Sequence, residues 1–309
     1  MSSMTTLAKV YDRVQSMSRS HKDKMIPVDD ISFESLEDMR IGNTIHKLRP
    51  IAQQSIAYRL GIPINYLRKC APSMQQMNLN YWIRHEKNDE LFFRFDGDEV
   101  RAVFTPRYIP TDNLELLDRL LGLGFKPETR VQCSLDDKFM LVSVPDDRET
   151  FRINGDRMTP GISVSNSEVG LAALSISTFT LRLICTNGMI SKTEVSASYR
   201  HVSDKLLSSL PGVLNELKAG FGQQREQLQI SLESKVENPE ATIESFNRQF
   251  ELRKEEKEAV EWALAQEYGF TMFSVVNTYT KAAQHELLSA ESRFRLQKMG
   301  GMILKLANG

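Results

Sequence analysis

The clearest periodic pattern in the chain is an alternation of apolar and polar positions between residues 91 and 105. It runs from Leu91 to Phe95, breaks at residues 96–98, which read Asp-Gly-Asp, and resumes at Val100. A period of two places successive side chains on opposite faces of a strand, and Asp-Gly favours a tight turn. The pattern therefore predicts a β-hairpin.

More strands and a helix are predicted after the hairpin. Further strands are expected over residues 131–135, 139–144, 161–166 and Leu174–Ile184. The first two of these flank Asp136-Asp137 and form a second hairpin, and the last is rich in β-branched and aromatic residues. Leucines at helical spacing predict a helix over residues 113–123, which ends at Gly124.

Two short helices are predicted before the hairpin, over residues 49–59 and 65–70. Gly61 suits the end of the first helix and Pro63 the start of the second. A helix, a glycine turn and a helix also make up the helix-turn-helix unit that reads duplex DNA. Pairs of short helices are common in any domain that contains helices, so both interpretations stay open.

The last hundred residues have a different character, since Glu, Gln, Lys, Leu and Ala dominate them. Long helices are predicted over residues 205–236, 239–267 and 270–307. The predicted fold class is α+β, an antiparallel sheet with β-hairpins and packed helices followed by a mainly helical C-terminal region. The predicted divisions are an N-terminal segment (1–40), an α+β core with a basic surface (41–202) and the helical region (203–309).

Charge is balanced over the whole chain but not along it. The 39 basic and 40 acidic side chains nearly cancel, yet no Asp or Glu occurs between Gly42 and His85. The cations of this stretch are Lys47, Arg49, Arg59, Arg68, Lys69 and Arg84, and its large aromatic residues are Tyr58, Tyr66, Tyr81 and Trp82. Interleaved cations and aromatics suit a surface that neutralises phosphates and stacks bases. The alternative is that the rings fill a helical core beneath solvated cations.

Local catalytic and metal-binding motifs are absent from the sequence. It has no phosphate loop, dinucleotide fingerprint, nucleophile elbow or HExxH pair. Its three cysteines are far apart, and its five histidines lack metal-ligand spacing. No signal peptide or long apolar run is apparent. We therefore expect a cytoplasmic protein without membrane association, metal or cofactor that binds rather than catalyses.

Polar residues interrupt apolar strands or turns in three later segments. Residues 104–113 run from a strand end to a helix N-terminus, where Arg107 and Tyr108 would hold a phosphate and stack a base. The second segment, 165–170, contains Glu168, for which a salt bridge to Arg182 or Arg200 is the simpler interpretation. In the third segment, 182–189, Asn187-Gly188 predicts a tight turn close to Arg182. All three segments are also compatible with ordinary turns.

A family resemblance arises from several segments taken in order. They are residues 105–113, 166–170, 181–189, 199–201, 277–280 and 299–304. Together they resemble the phage- and plasmid-like family called "domain of unknown function 932" over about residues 40 to 305. The resemblance implies a protein of mobile elements, prophages or plasmids.

A weaker analogy relates the predicted core to the phage proteins that anneal single strands during recombination. Those proteins form rings or filaments and hold single-stranded DNA in a basic groove. The leading hypothesis is therefore a non-catalytic, homo-oligomeric protein that binds single-stranded DNA or RNA and promotes annealing or recombination. The predicted nucleic-acid contacts are Lys47, Arg49, Arg59, Tyr66, Arg68, Lys69, Trp82, Arg84, Arg107, Tyr108, Arg182, Asn187 and Arg200.

Two alternatives from other classes stay open. The protein would be an inhibitor of host restriction or defence if its surface binds a host protein. It would be an enzyme acting on nucleotides or nucleic acid if dispersed residues assemble into one site. The candidates for that site are Asn166, Glu168, Asn187 and His201.

Overall fold

The structure, a computed structural model, describes residues 3–153, 155–184, 187–199 and 221–307, with the single positions 212 and 219. It divides the chain into two compact units. The small unit contains Asp12–Asp112 and Glu168–Gly170, and the large unit contains Met1–Tyr11, Asn113–Ser167 and Leu171–Gly309. These limits differ from the predicted divisions near residues 40 and 202. The α+β fold class with a helical C-terminal region is confirmed.

The first forty residues, for which the sequence suggested no elements, are largely regular. They form β1 (Ser3–Thr6), α1 (Leu7–Met17), β2 (His21–Pro27), β3 (Ile31–Phe33) and β4 (Asp38–Ile41). Strand β2 carries mostly exposed, polar side chains, so it lacks the alternation that reveals a half-buried strand.

The small unit is built on a six-stranded sheet of order β2-β6-β7-β5-β4-β3. Its other strands are β5 (Thr44–Leu48), β6 (Glu90–Asp96) and β7 (Glu99–Phe104). The β6–β7 pair is the predicted hairpin, with Asp96 opposite Glu99 and Gly97 at a φ of +57° in the turn. Only β5 and β7 pair in parallel, and the other pairings are antiparallel.

Three helices of the small unit cover one face of its sheet. They are α2 (Pro50–Arg59), α3 (Ile64–Leu67) and α4 (Pro72–Ile83). Helix α2 matches the prediction, whereas α3 ends three residues before the predicted end at residue 70. Gly61 lies between them at a φ of +68°, a conformation that glycine adopts without strain. Leu67, Leu79 and Ile83 point inward and pack with the sheet residues Phe93 and Val100 in one apolar core.

The large unit contains a seven-stranded sheet of order β1-β8-β9-β11-β12-β13, with β10 paired to β11. Its strands are β8 (Arg130–Leu135), β9 (Met140–Pro145), β10 (Phe151–Ile153), β11 (Asp156–Asn166), β12 (Leu174–Ile184) and β13 (Asn187–Tyr199). The second predicted hairpin is present as β8–β9. The prediction of a turn at Asn187-Gly188 is wrong, because both residues belong to β13 and pair with Ile184 and Leu183 of β12.

Six helices complete the described part of the large unit. They are α5 (Asn113–Gly122), α6 (Phe221–Glu233), α7 (Pro239–Gln249), α8 (Lys254–Glu267), α9 (Met272–Ala282) and α10 (Ala290–Leu306). The predicted C-terminal helices are interrupted twice more than expected, near residues 250–253 and 283–289. The first interruption contains Glu251 at a φ of +50°, and neither contains a proline that would have marked it in the sequence.

Candidate nucleic-acid interface

Half of the predicted cations in the acid-free stretch pair with carboxylates from elsewhere in the small unit. Arg49 donates from Nε to Glu99 and from Nη2 to Asp96, each over 2.7 Å. Lys47 Nζ lies 3.9 Å from Asp38 Oδ1. These pairs were not predicted because their carboxylates are distant in sequence. They belong to β4 and the β6–β7 hairpin, which the sheet brings beside β5.

Arg59 is the third paired cation, and its partner is the first carboxylate after the acid-free stretch. Arg59 Nε lies 2.9 Å from Glu86 Oε2, and Glu86 also accepts hydrogen bonds from Asn88. Burial opposes ionisation of Glu86, but the hydrogen bonds from Asn88 and the charge of Arg59 outweigh it and lower the pKa of this carboxyl. The carboxylate is thus ionised and neutralised internally.

The other three cations of the stretch are exposed and uncompensated. Within the residues that the structure describes, Arg68, Lys69 and Arg84 form no ion pair with a carboxylate. Arg68 and Lys69 follow α3, and Arg84 caps the C-terminus of α4. Since their charges are not cancelled, they retain the capacity to bind an anion.

Helix α4 presents an unusual outward face. We call this face, together with Tyr66 of α3, the aromatic surface. It comprises Tyr66, Met74, Met77, Tyr81, Trp82 and His85. Along α4, each exposed member follows the previous one by three, four or one residues, and these members are Met74, Met77, Tyr81 and Trp82. Leu79 and Ile83 of the same helix are buried on its other side. An amphipathic helix normally turns polar residues outward, and here the outward side is instead rich in methionine and aromatic rings.

The rings of the aromatic surface contact one another. Tyr81 and Trp82 meet edge to face at 5.2 Å between centroids, and the His85 ring lies 4.8 Å from that of Tyr81. Tyr66 reaches the same surface, with its hydroxyl 3.9 Å from Met74 Sδ. Trp82 remains 45% exposed, and Tyr58 at the end of α2 is 90% exposed. The alternative in which Tyr58, Tyr66 and Trp82 fill a helical core is therefore wrong.

The predicted contacts beyond residue 85 do not all extend this surface. Arg107 is exposed, but Tyr108 stacks on Phe104 at 3.8 Å between centroids, and burial raises the pKa of its hydroxyl to about 12. Arg182 belongs to the large unit and pairs with Asp156 and Glu267. Asn187 is described by its backbone, and Arg200 lies outside the described residues.

A cluster of buried charges in the small unit was not foreseen. Arg94 of β6 donates to Asp23 on neighbouring β2 and to Asp112, and it reaches the carbonyl of Glu168 at 3.3 Å. Arg101 of β7 donates to Glu168 Oε2 at 2.8 Å. The only sign in the sequence is that both arginines interrupt apolar hairpin strands. Glu168 thus pairs with Arg101, whereas Arg182, one of the two expected partners, pairs with Asp156 and Glu267, and the other, Arg200, lies outside the described residues.

The dispersed catalytic set is described only in part. Asn166 Nδ2 donates to Asn113 Oδ1 at 2.9 Å in the large unit, and Glu168 is bound to Arg101 in the small unit. His201 lies outside the described residues. Among the residues that the structure does describe, no three His, Cys, Asp or Glu side chains group as metal ligands. No helix in the described part of the chain is both long enough and apolar enough to cross a bilayer.

His21 gives the buried cluster a testable dependence on pH. Its ring contacts Arg101 at 2.6 Å and lies 3.7 Å from Glu168, and burial followed by the charge of Arg101 lowers its pKa despite the opposing effect of Glu168. The unfolded chain therefore binds more protons than the folded one as the pH falls through the ordinary pKa of 6.5.

We expect the free energy of unfolding to decrease between pH 7.5 and pH 5 and to depend less on pH in a His21→Gln variant. Denaturant unfolding at several pH values measures this. Asp96 also makes the free energy of unfolding depend on pH, because its pKa is lowered. That dependence falls below the ordinary carboxyl pKa of 3.8, so it can be separated from the effect of His21. Identical pH profiles for the two proteins between pH 5 and 7.5 would contradict the assignment.

Comparison with known proteins adds no relative. No family model matches the chain, and no curated protein or solved structure matches it. The resemblance to the phage- and plasmid-like family therefore stays a prediction. The case for function consequently depends on the site itself, a fold alone being compatible with many functions.

Proposed function

We propose that this protein binds single-stranded nucleic acid through the aromatic surface and the cations beside it. The observation that supports this most is the pairing of exposed rings with uncompensated charges. Arg84 lies two residues after Trp82, and Arg68 and Lys69 lie two and three residues after Tyr66. Bases stack on such rings without sequence preference, while the cations follow the phosphates.

Single strands fit this surface better than a duplex. Duplex bases are stacked on each other and hide their faces, so an exposed tryptophan or tyrosine has no ring to contact. The helix-turn-helix alternative requires a recognition helix with polar side chains for the major groove. Helix α3 has only four residues, Ile64–Leu67, and α4 presents methionines and aromatics outward.

The biological role follows the family resemblance and remains part of the proposal. A non-catalytic, cytoplasmic protein of a mobile element would promote strand annealing or recombination with DNA, or would act on RNA. Such proteins work as homo-oligomers, since neighbouring subunits hold successive stretches of one strand. Mass measurement with and without an oligonucleotide tests this assembly directly.

A protein partner is the second candidate, and the methionines support it. Met74 and Met77 are exposed on the same face as Tyr81 and Trp82. Flexible methionines beside aromatic rings are typical of surfaces that bind helices of other proteins. An inhibitor of host restriction or defence would use such a surface. It would bind its partner with little dependence on salt, in contrast to a nucleic-acid ligand.

Salt dependence provides the test of the proposed function. We expect affinity for a labelled oligothymidylate to fall steeply with salt, with a logarithmic slope of about 0.7 for each neutralised phosphate. Replacing Arg68, Lys69 and Arg84 by glutamine should lower that slope by about two and weaken binding at low salt. Fluorescence anisotropy at several salt concentrations measures both quantities.

The matched control replaces three exposed cations that have carboxylate partners. Arg119, Arg148 and Lys254 are paired with Glu115, Asp146 and Glu258, respectively. Changing them to glutamine alters the net charge equally but should leave the slope nearly unchanged. Equal effects of the two triple variants would show that net charge, rather than this surface, attracts the strand. Absence of binding at any salt concentration would refute the proposal.

A further inference from the structure

The large unit contains an open cleft of about 610 Å³ that the proposed function does not use. Helices α6, α8 and α9 and the end of β12 form it. Its polar lining includes Arg182, Gln229, Gln266, Glu267 and Asn277, and its aromatic lining is Tyr268 and Phe273. Volumes between 300 and 1,000 Å³ are typical of small-molecule sites.

Asn277 is the observation that points to a ligand. It lies in the middle of α9, which is buried along most of its length, and only 5% of the residue is exposed. Within the described residues, its side-chain carboxamide has no hydrogen-bond partner, although it lines the cleft. Because the carboxamide faces the open cleft and is not among the buried unpaired groups, water can pair with it, and a ligand that offers both a donor and an acceptor can take the place of that water.

Electrostatics argue against an anionic ligand in this cleft. The guanidinium of Arg182 donates to Asp156 at 2.6 Å and to Glu267 at 3.1 Å. Among the described lining residues, two carboxylates therefore face one cation, which leaves no surplus positive charge there for a phosphate. The role predicted for Arg182 in binding phosphate thus has no support from these contacts, and a neutral ligand is favoured.

Tyr268 supplies an exposed, flat ring at the rim of the cleft, on which a planar ligand can stack. The Phe273 ring is already covered, because the guanidinium of Arg182 lies over it, 5.2 Å from its centroid. Gln266 and Gln229 each use the side-chain nitrogen in a bond within their own helix, so their carbonyl oxygens remain as acceptors. A carboxamide offers a donor beside an acceptor and matches the edge of a nucleobase, as Asn does with adenine.

We infer that this cleft binds a neutral nucleobase, with the carboxamide of Asn277 pairing with its edge. The ligand is either a free nucleoside or a single unstacked base of a longer strand, because both present the same ring. The inference goes beyond the proposed function, since the aromatic surface belongs to the other unit and binds a strand through different groups.

The experiment titrates adenosine, adenosine 5′-monophosphate and an oligodeoxyadenylate into the full chain and into an Asn277→Ala variant. Calorimetry or ligand-observed NMR reports binding. We expect adenosine to bind, the extra phosphate to bring no gain, and Asn277→Ala to weaken adenosine by about tenfold or more. Gln266→Ala, at the exposed rim, should also weaken binding without endangering the fold. Gln249→Ala, an exposed glutamine of α7 outside the cleft, is the matched control.

Each outcome decides between sources or rejects the site. Binding of the oligonucleotide alone, weakened by Asn277→Ala, supports the inference and assigns the ligand to a strand. Binding of free adenosine with the same dependence supports it and assigns the ligand to a nucleoside. Affinities unaffected by both Asn277→Ala and Gln266→Ala overturn it. Propionamide carries the amide group without a ring, so equal affinity for propionamide and adenosine overturns the inference that the cleft recognises a flat ring. Loss of strand binding in the cation variants leaves the adenosine result unchanged, so the two proposals fail separately.

Discussion

Replacing Tyr81 and Trp82 together by alanine is expected to lower the affinity for single-stranded oligonucleotides by well over tenfold. Base–aromatic stacking is worth about 1 to 3 kcal/mol per base, and two rings are removed. The substitution should leave the fold intact, because both rings are exposed and the buried side of α4 is formed by Leu79 and Ile83. Anisotropy titrations at one low salt concentration measure the loss.

Trp262 supplies a matched control for this prediction. It belongs to α8 of the large unit and is 39% exposed, close to the 45% of Trp82. Its ring contacts His285 edge to face and lies 5.6 Å from Lys281 Nζ, so it too has a cation nearby. Trp262→Ala should leave oligonucleotide affinity unchanged. A loss equal to that of the double variant would mean that aromatic exposure in general, rather than the α4 face, explains binding.

Removing the charge of Arg94 is expected to cause the largest loss of stability. Arg94 is 1% exposed and holds Asp23 and Asp112 together with the carbonyl of Glu168. An Arg94→Met variant keeps most of the volume but leaves carboxylates without their counter-ion. Because the carboxylates of Asp23 and Asp112 are 29% and 52% exposed, water partly replaces the lost guanidinium, and we expect a cost of about 1.5 to 3 kcal/mol from the lost charged hydrogen bonds. Denaturant unfolding followed by Trp82 fluorescence in a Trp262→Phe background reports the small unit.

Arg40 is the control for Arg94, since it has the same side chain in the same unit. Its pair with Glu34 at 2.8 Å is exposed on both sides. Exposed pairs contribute about 0 to 1 kcal/mol, so Arg40→Met should change the free energy of unfolding very little. If Arg94→Met were no more destabilising than Arg40→Met, the buried cluster would not be a stabilising feature of the fold.

Local pattern was sufficient for several elements. The β6–β7 hairpin was predicted from its alternation and its Asp-Gly turn, α5 from its leucine spacing, and α2 from the Gly61 and Pro63 break that follows it. Strands β2 and β5 were not predicted, because most of their side chains face solvent and so show no alternation. The breaks near residues 250–253 and 283–289 were not predicted because neither contains a proline or a glycine. Ser289 was a local sign of the second break, since its side chain caps α10 by accepting from Ser292 N.

The candidate site was only half visible in the sequence, for a related reason. The acid-free stretch drew attention to Tyr66 and Trp82, which the structure shows to be exposed. It overestimated the free charge, because the partners of Lys47, Arg49 and Arg59 come from strands and loops outside the stretch. Asn277 gave no sign at all, since an unpaired amide is recognised only when its surroundings are known.

Tryptophan fluorescence tests the central claim most directly, because the chain has only two tryptophans. In a Trp262→Phe variant, Trp82 is the sole reporter, and a base that stacks on it quenches its emission. We predict saturable quenching by an oligothymidylate at low salt, reversed at high salt, and none in the converse Trp82→Phe variant. Binding of the oligonucleotide without any change in Trp82 emission would contradict the account.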